Sequence, residues 1–283
     1  MKAYVLFNKM SGNGAGEDKA NKVRELWKDK ELIYTDVVGI DYNEFLKKLE
    51  PDDLIVVCGG DGTFNRFIND TDGIDLAHDV YFYATGTGSD FWREMGWDEN
   101  TPPQKANDYI RDLPVVTVKG KSYRVLNGVG YGIDGYCCEV GDKLRETKPN
   151  EPINYAGIAI KGLLFHYKPT LAEVTVDGKK YTYKKTWIAP TMNGKCYGGG
   201  MYPTPDQKRI SDDKKITVMI MHGYGRLRTL MAFPSIFKGE HVKRTKMVAL
   251  HEGREITVKF DRPAALQIDG ETVLDVSEYT MKV

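Results

Sequence analysis

The spacing of apolar and polar positions changes character near residue 115. Before that point short apolar runs alternate with segments of helical period; after it, strand-like runs follow one another with turns between. The clearest run is Leu54-Ile55-Val56-Val57-Cys58, five apolar residues rich in β-branched side chains, as in strands buried on both faces of a parallel sheet. It stops at Gly59-Gly60-Asp61-Gly62-Thr63, and Phe64, Phe67 and Ile68 then recur at helical spacing. Residues 3–7, 32–35 and 80–83 are predicted as companion strands. Ala20, Val23 and Trp27 predict one intervening helix, Phe45, Leu46 and Leu49 a second, and Pro102-Pro103 the opening of another.

From 115 onward the predicted strands are 115–118, 122–126, 172–176, 180–188, 216–221 and 256–260. Lys119-Gly120-Lys121 and Asp177-Gly178 have hairpin-turn composition. Helical patches are expected near 153–165 and 226–237. The expectation is an open α/β domain over 1–115, followed by a mainly antiparallel β-sandwich domain over 116–283.

A strand that feeds a glycine turn and then a helix is an anion-binding arrangement. The first-turn N–H groups lack partners within the helix, and glycine leaves no Cβ to hold a ligand away. Asp61 inside the turn would repel a bare phosphate, so a Mg²⁺ or a water is expected between them. The plainer reading is a tight strand-to-helix connection. Two further glycine loops follow predicted strands, Gly12-x-Gly14-x-Gly16 and Gly86-Thr87-Gly88, which favours a nucleotide crevice at the carboxyl edge of an α/β sheet.

Forty basic residues balance forty acidic ones, so no global charge draws the chain to nucleic acid. The four cysteines form no CxxC pair, and neither a disulfide framework nor a zinc site is indicated, which suits a reducing cytoplasm. The apolar run at 3–7 is too short for a signal-peptide core, and no stretch approaches the ~20 residues of a membrane span. A soluble cytoplasmic protein is expected, one that can still touch a membrane surface; a homodimer stays open.

Taken together, the motifs resemble the diacylglycerol kinase-like lipid kinases, which include bacterial diacylglycerol and YegS-type lipid kinases, sphingosine kinases and ceramide kinases. The resemblance is carried by Asn8, Ser11, Gly12 and Gly14; by Gly59-Gly60-Asp61-Gly62-Thr63 with Asn65; and by Gly86-Thr87-Gly88-Ser89-Asp90-Phe91. Asn127, Gly132 and Asp134 continue it, then Asn193-Gly194 with Gly198-Gly199-Gly200-Met201, and last Asp269-Gly270-Glu271. NAD kinases share the Gly-Gly-Asp-Gly turn but lack the last two motifs.

The resemblance implies an ATP- and Mg²⁺-dependent kinase of a lipid hydroxyl, with diacylglycerol, a sphingoid base or phosphatidylglycerol as acceptor and a site between the two domains. Nucleotide contacts are then expected from Asn8, Ser11, Gly12, Thr35, Gly59, Gly60, Asp61, Gly62, Thr63, Asn65, Gly86, Thr87 and Asp90. Asp61 would also serve the chemistry, Asp134 would lie near the acceptor, and Glu271 would be the base with Asp269 as its partner or a contact to the acceptor. Asp213 would hold a structural Mg²⁺.

Four positions depart from the family's pattern. Lys9 stands where proline is usual, Ser89 replaces asparagine, and Thr117 replaces an aspartate of the Mg²⁺ network. Lys214 replaces a glycine beside Asp213, and its charge together with that of Lys215 weakens the acid's attraction for a divalent ion. Two rival readings stand beside the kinase. One is a non-catalytic nucleotide-binding homologue; the other is a dinucleotide-dependent oxidoreductase with Asp36 on the ribose.

Overall fold

The structure, a computed structural model, describes residues 1–85, 88–148, 151 and 153–283. Its contacts divide the chain into two compact units, Met1–Asp112 and Leu113–Val283.

The first unit is a parallel sheet with helical connections. Strands β1 (Lys2–Phe7), β2 (Glu31–Asp36), β3 (Leu54–Gly59) and β4 (Asp79–Ala84) lie in the order β2-β1-β3-β4, and β5 (Gln104–Lys105) runs antiparallel on the β4 edge. All six residues of β3 are buried, as its unbroken apolar run requires. The helix expected through Ala20 and Trp27 is broken into α1 (Ser11–Gly14), α2 (Gly16–Ala20) and α3 (Val23–Leu26). The remaining helices are α4 (Tyr42–Leu46), α5 (Asp61–Asp70), α6 (Asp90–Glu94) and α7 (Asn107–Ile110).

Pro102-Pro103 do not open a helix. They lead into β5, where Gln104 pairs with Phe82, and α7 begins only at Asn107. A residue before proline is pushed toward extended backbone, which suits entry to an edge strand. Phe64 of α5 stacks on Phe82 of β4 at 4.3 Å between ring centres, and Phe91 of α6 packs on both. This aromatic layer fixes α5 and α6 against the ends of β3 and β4.

The second unit is an antiparallel β-sandwich. Its strands are β6 (Val115–Val118), β7 (Lys121–Arg124), β8 (Gly128–Tyr131), β9 (Thr170–Val176), β10 (Lys179–Thr186), β11 (Thr191–Met192), β12 (Ile216–Met221), β13 (Val248–Gly253), β14 (Glu255–Ile268) and β15 (Glu271–Lys282). The order is β13-β12-β11-β8-β14-β15-β6-β7, with β9 also on β14 and β10 on β9. Both expected hairpin turns form, with positive φ at Lys119-Gly120 and at Asp177-Gly178. Helix α9 (Tyr155–Lys161) runs into a π-helical turn, Gly162–His166. Helix α10 (Arg226–Ala232) runs into a 3₁₀ segment, Phe233–Lys238.

The sequence did not reveal the fifteen-residue helix α8 (Ile133–Thr147). Gly135 and Gly141 weaken its helical signal, yet both are there for packing. A Cβ on Gly135 would strike the Ala265 carbonyl, and one on Gly141 would meet the Tyr155 ring at 2.8 Å. Asp134 lies buried in the first turn of this helix.

Candidate active site

In the first unit the motif residues gather at the carboxyl ends of the parallel strands. The two glycines that end β3 do different work. A Cβ on Gly59 would come within 2.5 Å of Thr63 Cβ, so this glycine is required by packing inside the turn. Among the described residues, a Cβ on Gly60 or Gly62 would meet nothing within 4 Å, so neither glycine is required by packing there. Gly60 caps the ten-residue α5, whose first-turn N–H groups, as at any helix start, have no acceptor within the helix and can face an anion. Asn65, buried in α5, accepts from Asn69 Nδ2 at 3.1 Å through its side-chain oxygen.

Asp61 has partners within the first unit: Ser89 Oγ donates to its Oδ1, while the N–H groups of Asp90 and Phe91 donate to Oδ2 at 2.7 and 3.3 Å. The carboxylate thus stabilises the start of α6 and ties the Gly59–Thr63 turn to the loop after β4. Ser89 also caps α6, accepting from Trp92 N at 3.2 Å. Asp90 is buried and its Oδ1 is 2.7 Å from Arg93 Nη1. Gly86 and Thr87 lie outside the described residues.

The first loop is held from within. Ser11 N and Ser11 Oγ both donate to the Asn8 carbonyl, at 3.0 and 2.8 Å, and Met10 N donates to Asn8 Oδ1 at 2.9 Å. Gly12 sits in α1, and a Cβ on Gly16 would collide with the Asn8 carbonyl. Lys9, which replaces proline, restores an anchor by another route: its Nζ is 2.9 Å from Asp36 Oδ2. Asp36 also accepts from Lys9 N at 3.3 Å and Val38 N at 3.1 Å. These contacts occupy the acid that the dinucleotide reading would have placed on a ribose. Thr35 is the penultimate residue of β2, opposite Leu6.

In the second unit, motifs far apart in sequence converge on residues 126–128. Asp269, with φ of 46° in the β14–β15 turn, accepts from Leu126 N at 2.6 Å, Asn127 N at 2.8 Å and Gly128 N at 3.0 Å. Asn193 Nδ2 donates to the Leu126 carbonyl at 2.9 Å, and the N–H groups of Asn193 and Gly194 donate to the Asn127 carbonyl. Arg209, which no sequence motif singled out, donates from Nη2 to Asn127 Oδ1 at 2.9 Å and from Nη1 to the Leu126 carbonyl. Asp269 is therefore a clamp on the backbone, whereas Glu271, two residues on, is exposed at the start of β15. The run Gly198-Gly199-Gly200 has positive φ throughout and closes the Tyr197–Met201 bridge, a conformation that excludes most side chains.

Asp134 is linked to the same knot. It accepts from Tyr197 Oη and from the Gln267 side chain, whose Oε1 accepts in turn from Gly270 N at 2.7 Å. Burial raises its pKa to about 6, against the pull of those two hydrogen bonds. Gly130 leaves the room this cluster needs, since a Cβ there would overlap the carboxylate.

Among the described residues no group of three or more His, Cys, Asp or Glu side chains could hold an ion. Asp213 is exposed, and Lys215 Nζ at 2.7 Å, with Ser211, holds its carboxyl below the usual range. Lys214 adopts the positive φ (31°) that the family's glycine would adopt freely. Thr117 Oγ1 lies 3.0 Å from Ser122 Oγ across the β6–β7 hairpin.

Comparison with known proteins accounts for both units. The diacylglycerol kinase catalytic domain matches residues 2–119, and the YegS C-terminal NAD kinase beta sandwich-like domain matches residues 127–281. A diacylglycerol kinase of Mycobacterium tuberculosis is 25% identical over 253 residues, covering 86% of this chain and 80% of its own length. A diacylglycerol kinase of Bacillus subtilis is 24% identical over 225 residues, covering 77% and 71%. The fold is shared with a crystal structure of a diacylglycerol kinase from Bacillus anthracis strain Sterne, at a TM-score of 0.61 and 18% identity over 99% of this chain and 93% of that one. A glycine-lined sheet edge in the first unit, a motif knot in the second and a domain match over each make this chain a member of the diacylglycerol kinase-like lipid kinases.

Proposed function

We propose that the protein transfers the γ-phosphoryl group of MgATP to a hydroxyl of diacylglycerol or a closely related lipid. The observation that carries this reading is the pair of glycines at the N-terminus of α5, Gly60 and Gly62, which packing among the described residues does not require, within the segment matched by the diacylglycerol kinase catalytic domain. Phosphoryl transfer asks mainly for positioning and charge stabilisation. In this reading the α5 N–H groups and the Asn8–Gly14 loop hold the nucleotide phosphates, and Asp61 keeps the two later loops in register. Mg²⁺ would enter with the nucleotide as MgATP and would supply neutralisation of the phosphate charge.

The acceptor side belongs to the second unit. A lipid hydroxyl is a weak nucleophile near neutral pH, so a base must take its proton as the phosphorus is attacked. We assign that proton to Glu271. The assignment is supported by the contrast within the turn: Asp269 gives its oxygens to three backbone N–H groups, whereas the Glu271 side chain is exposed. Asp134, with its raised pKa and its link through Gln267 to Gly270, is assigned to the acceptor side of the same turn.

The test is transfer of labelled phosphate from ATP to a panel of diacylglycerol, sphingosine and phosphatidylglycerol, by wild type and by Glu271→Gln. The reading expects one lipid class to be labelled by wild type and the label to fall about 10²–10⁴-fold in the variant. A second reading, a nucleotide-binding homologue without turnover, is favoured by the ion pair at Asp213 and by the hydroxyl at Thr117. It expects ATP to bind with no lipid labelled.

A further inference from the structure

We propose that the outward face of the helical segment Arg226–Lys238, with the loop at 243–246, is a docking surface for an anionic lipid bilayer. The segment is amphipathic in an unusual sense. Thr229, Ala232 and Ile236 are buried against the second unit's core. The opposite face of a surface helix is normally polar. Here it carries Leu227, Met231 and Phe237, which are 69%, 71% and 46% exposed. Leu227 and Met231 are one helical turn apart on the same side of α10, and Phe237 follows on the 3₁₀ continuation.

Cations surround these apolar side chains. Between Gly223 and Met247 the sequence has six basic residues and one acid, Glu240, in a chain whose total charge is zero. Arg228 and Met231 line a groove of about 640 Å³ together with Lys243, Arg244 and Lys246. Among the described residues none of these cations forms an ion pair with an acid. Arg228 instead lies over the Tyr224 ring, 5.5 Å from its centre. Protruding Leu, Met and Phe side chains bordered by Lys and Arg are the chemistry of a helix that lies in a bilayer interface. The apolar groups enter the acyl boundary while the cations meet phosphate headgroups.

Charge also decides against the simplest alternative. A second copy docked through this face about a two-fold axis would press two cationic surfaces together, which is unfavourable. The choice of a bilayer rests in part on the lipid-kinase reading, since an acceptor dissolved in a membrane must be met there.

The test is co-sedimentation of the full chain with vesicles of phosphatidylcholine, alone or with about a third phosphatidylglycerol. Wild type should partition onto the anionic vesicles only, and less as salt is raised. Leu227→Glu/Met231→Glu should weaken partitioning at least about tenfold, with an unchanged thermal midpoint and unchanged turnover of a water-soluble, short-chain diacylglycerol. Should that variant lose its fold, Lys243→Glu/Lys246→Glu on the exposed loop reads the same surface. Wild type that ignores anionic vesicles, or folded variants that bind them as well as wild type, would overturn the proposal. So would a wild-type dimer that these substitutions convert to monomer without any vesicle binding. Vesicle binding that depends on these residues, with no turnover of any lipid, would uphold the docking surface and remove the lipid-kinase reading instead.

Discussion

The sheet edge of the first unit and the knot at 126–128 in the second are both built around an acid beside glycine, and in each the acid takes backbone N–H groups, to different ends. At the sheet edge Asp61 takes the N–H groups of α6, and packing among the described residues does not require the glycines at 60 and 62. In the knot Asp269 takes three consecutive N–H groups, and the residue left exposed is a carboxylate, Glu271. The first arrangement ties a loop to the start of a helix; the second ties the β14–β15 turn to the backbone of residues 126–128. A motif acid next to glycine is thus as much a device for holding backbone as a reagent, and only its contacts tell which.

The sharpest way to break this comparison is Asp269→Ala. It leaves three part-buried N–H groups without their acceptor, so a loss of at least about 3 kcal/mol is expected, from about 1 kcal/mol or more for each unsatisfied group, read by denaturant unfolding. A variant as stable as wild type would mean that the clamp carries no weight. Glu271→Gln should do the reverse, lowering kcat about 10²–10⁴-fold while leaving stability within about 0.5 kcal/mol.

Asp134→Asn tests the buried acid of the knot through pH. The folded pKa of Asp134 is about 6 against an ordinary 3.8, so between these values the folded chain binds more protons than the unfolded one. Its contribution to stability therefore falls as pH rises through that window, by up to about 3 kcal/mol, and is constant above it. The variant lacks this slope, so its thermal midpoint relative to wild type should rise between about pH 4 and pH 7. A difference that stays flat would place the titration elsewhere.

At the sheet edge the two adjacent glycines should separate. Gly59→Ala meets Thr63 and should cost about 1–3 kcal/mol of stability. Gly60→Ala, at φ of −92° and with nothing among the described residues within 4 Å of its Cβ, should fold normally yet weaken ATP binding at least about tenfold, measured by calorimetry. The smallest effect is expected for Asp61→Asn. Its remaining carbonyl oxygen can serve only part of the Ser89, Asp90 and Phe91 donor set, at a cost of about 1–2 kcal/mol.

Most of the first unit was legible because its signals are contiguous. The β3 run and the glycine turn lie within a dozen residues, and a buried parallel strand has few other ways to read. The second unit was legible only as strands and turns. Its knot joins Leu126 to Asp269 across 143 positions, and no local pattern announces that contact. Helix α8 was hidden for a related reason, because Gly135 and Gly141 answer to neighbours on β14 and α9 rather than to helix propensity. Arg209 gave no signal at all, since a lone arginine in a loop is ordinarily a solvated one. The motif at Asp269-Gly270-Glu271 was found by its residues, while the separation of its two acids into clamp and exposed carboxylate came only from the hydrogen bonds.

The most direct test of the central claim is label transfer from γ-³²P-ATP to diacylglycerol presented with detergent, comparing wild type, Glu271→Gln and Gly60→Ala at matched thermal midpoints. The account predicts labelled phosphatidic acid from wild type, a near-complete loss with Glu271→Gln at saturating ATP, and recovery of the Gly60→Ala rate as ATP is raised. Labelling by Glu271→Gln at the wild-type rate, or no labelled lipid from wild type with any acceptor of the panel, would contradict it.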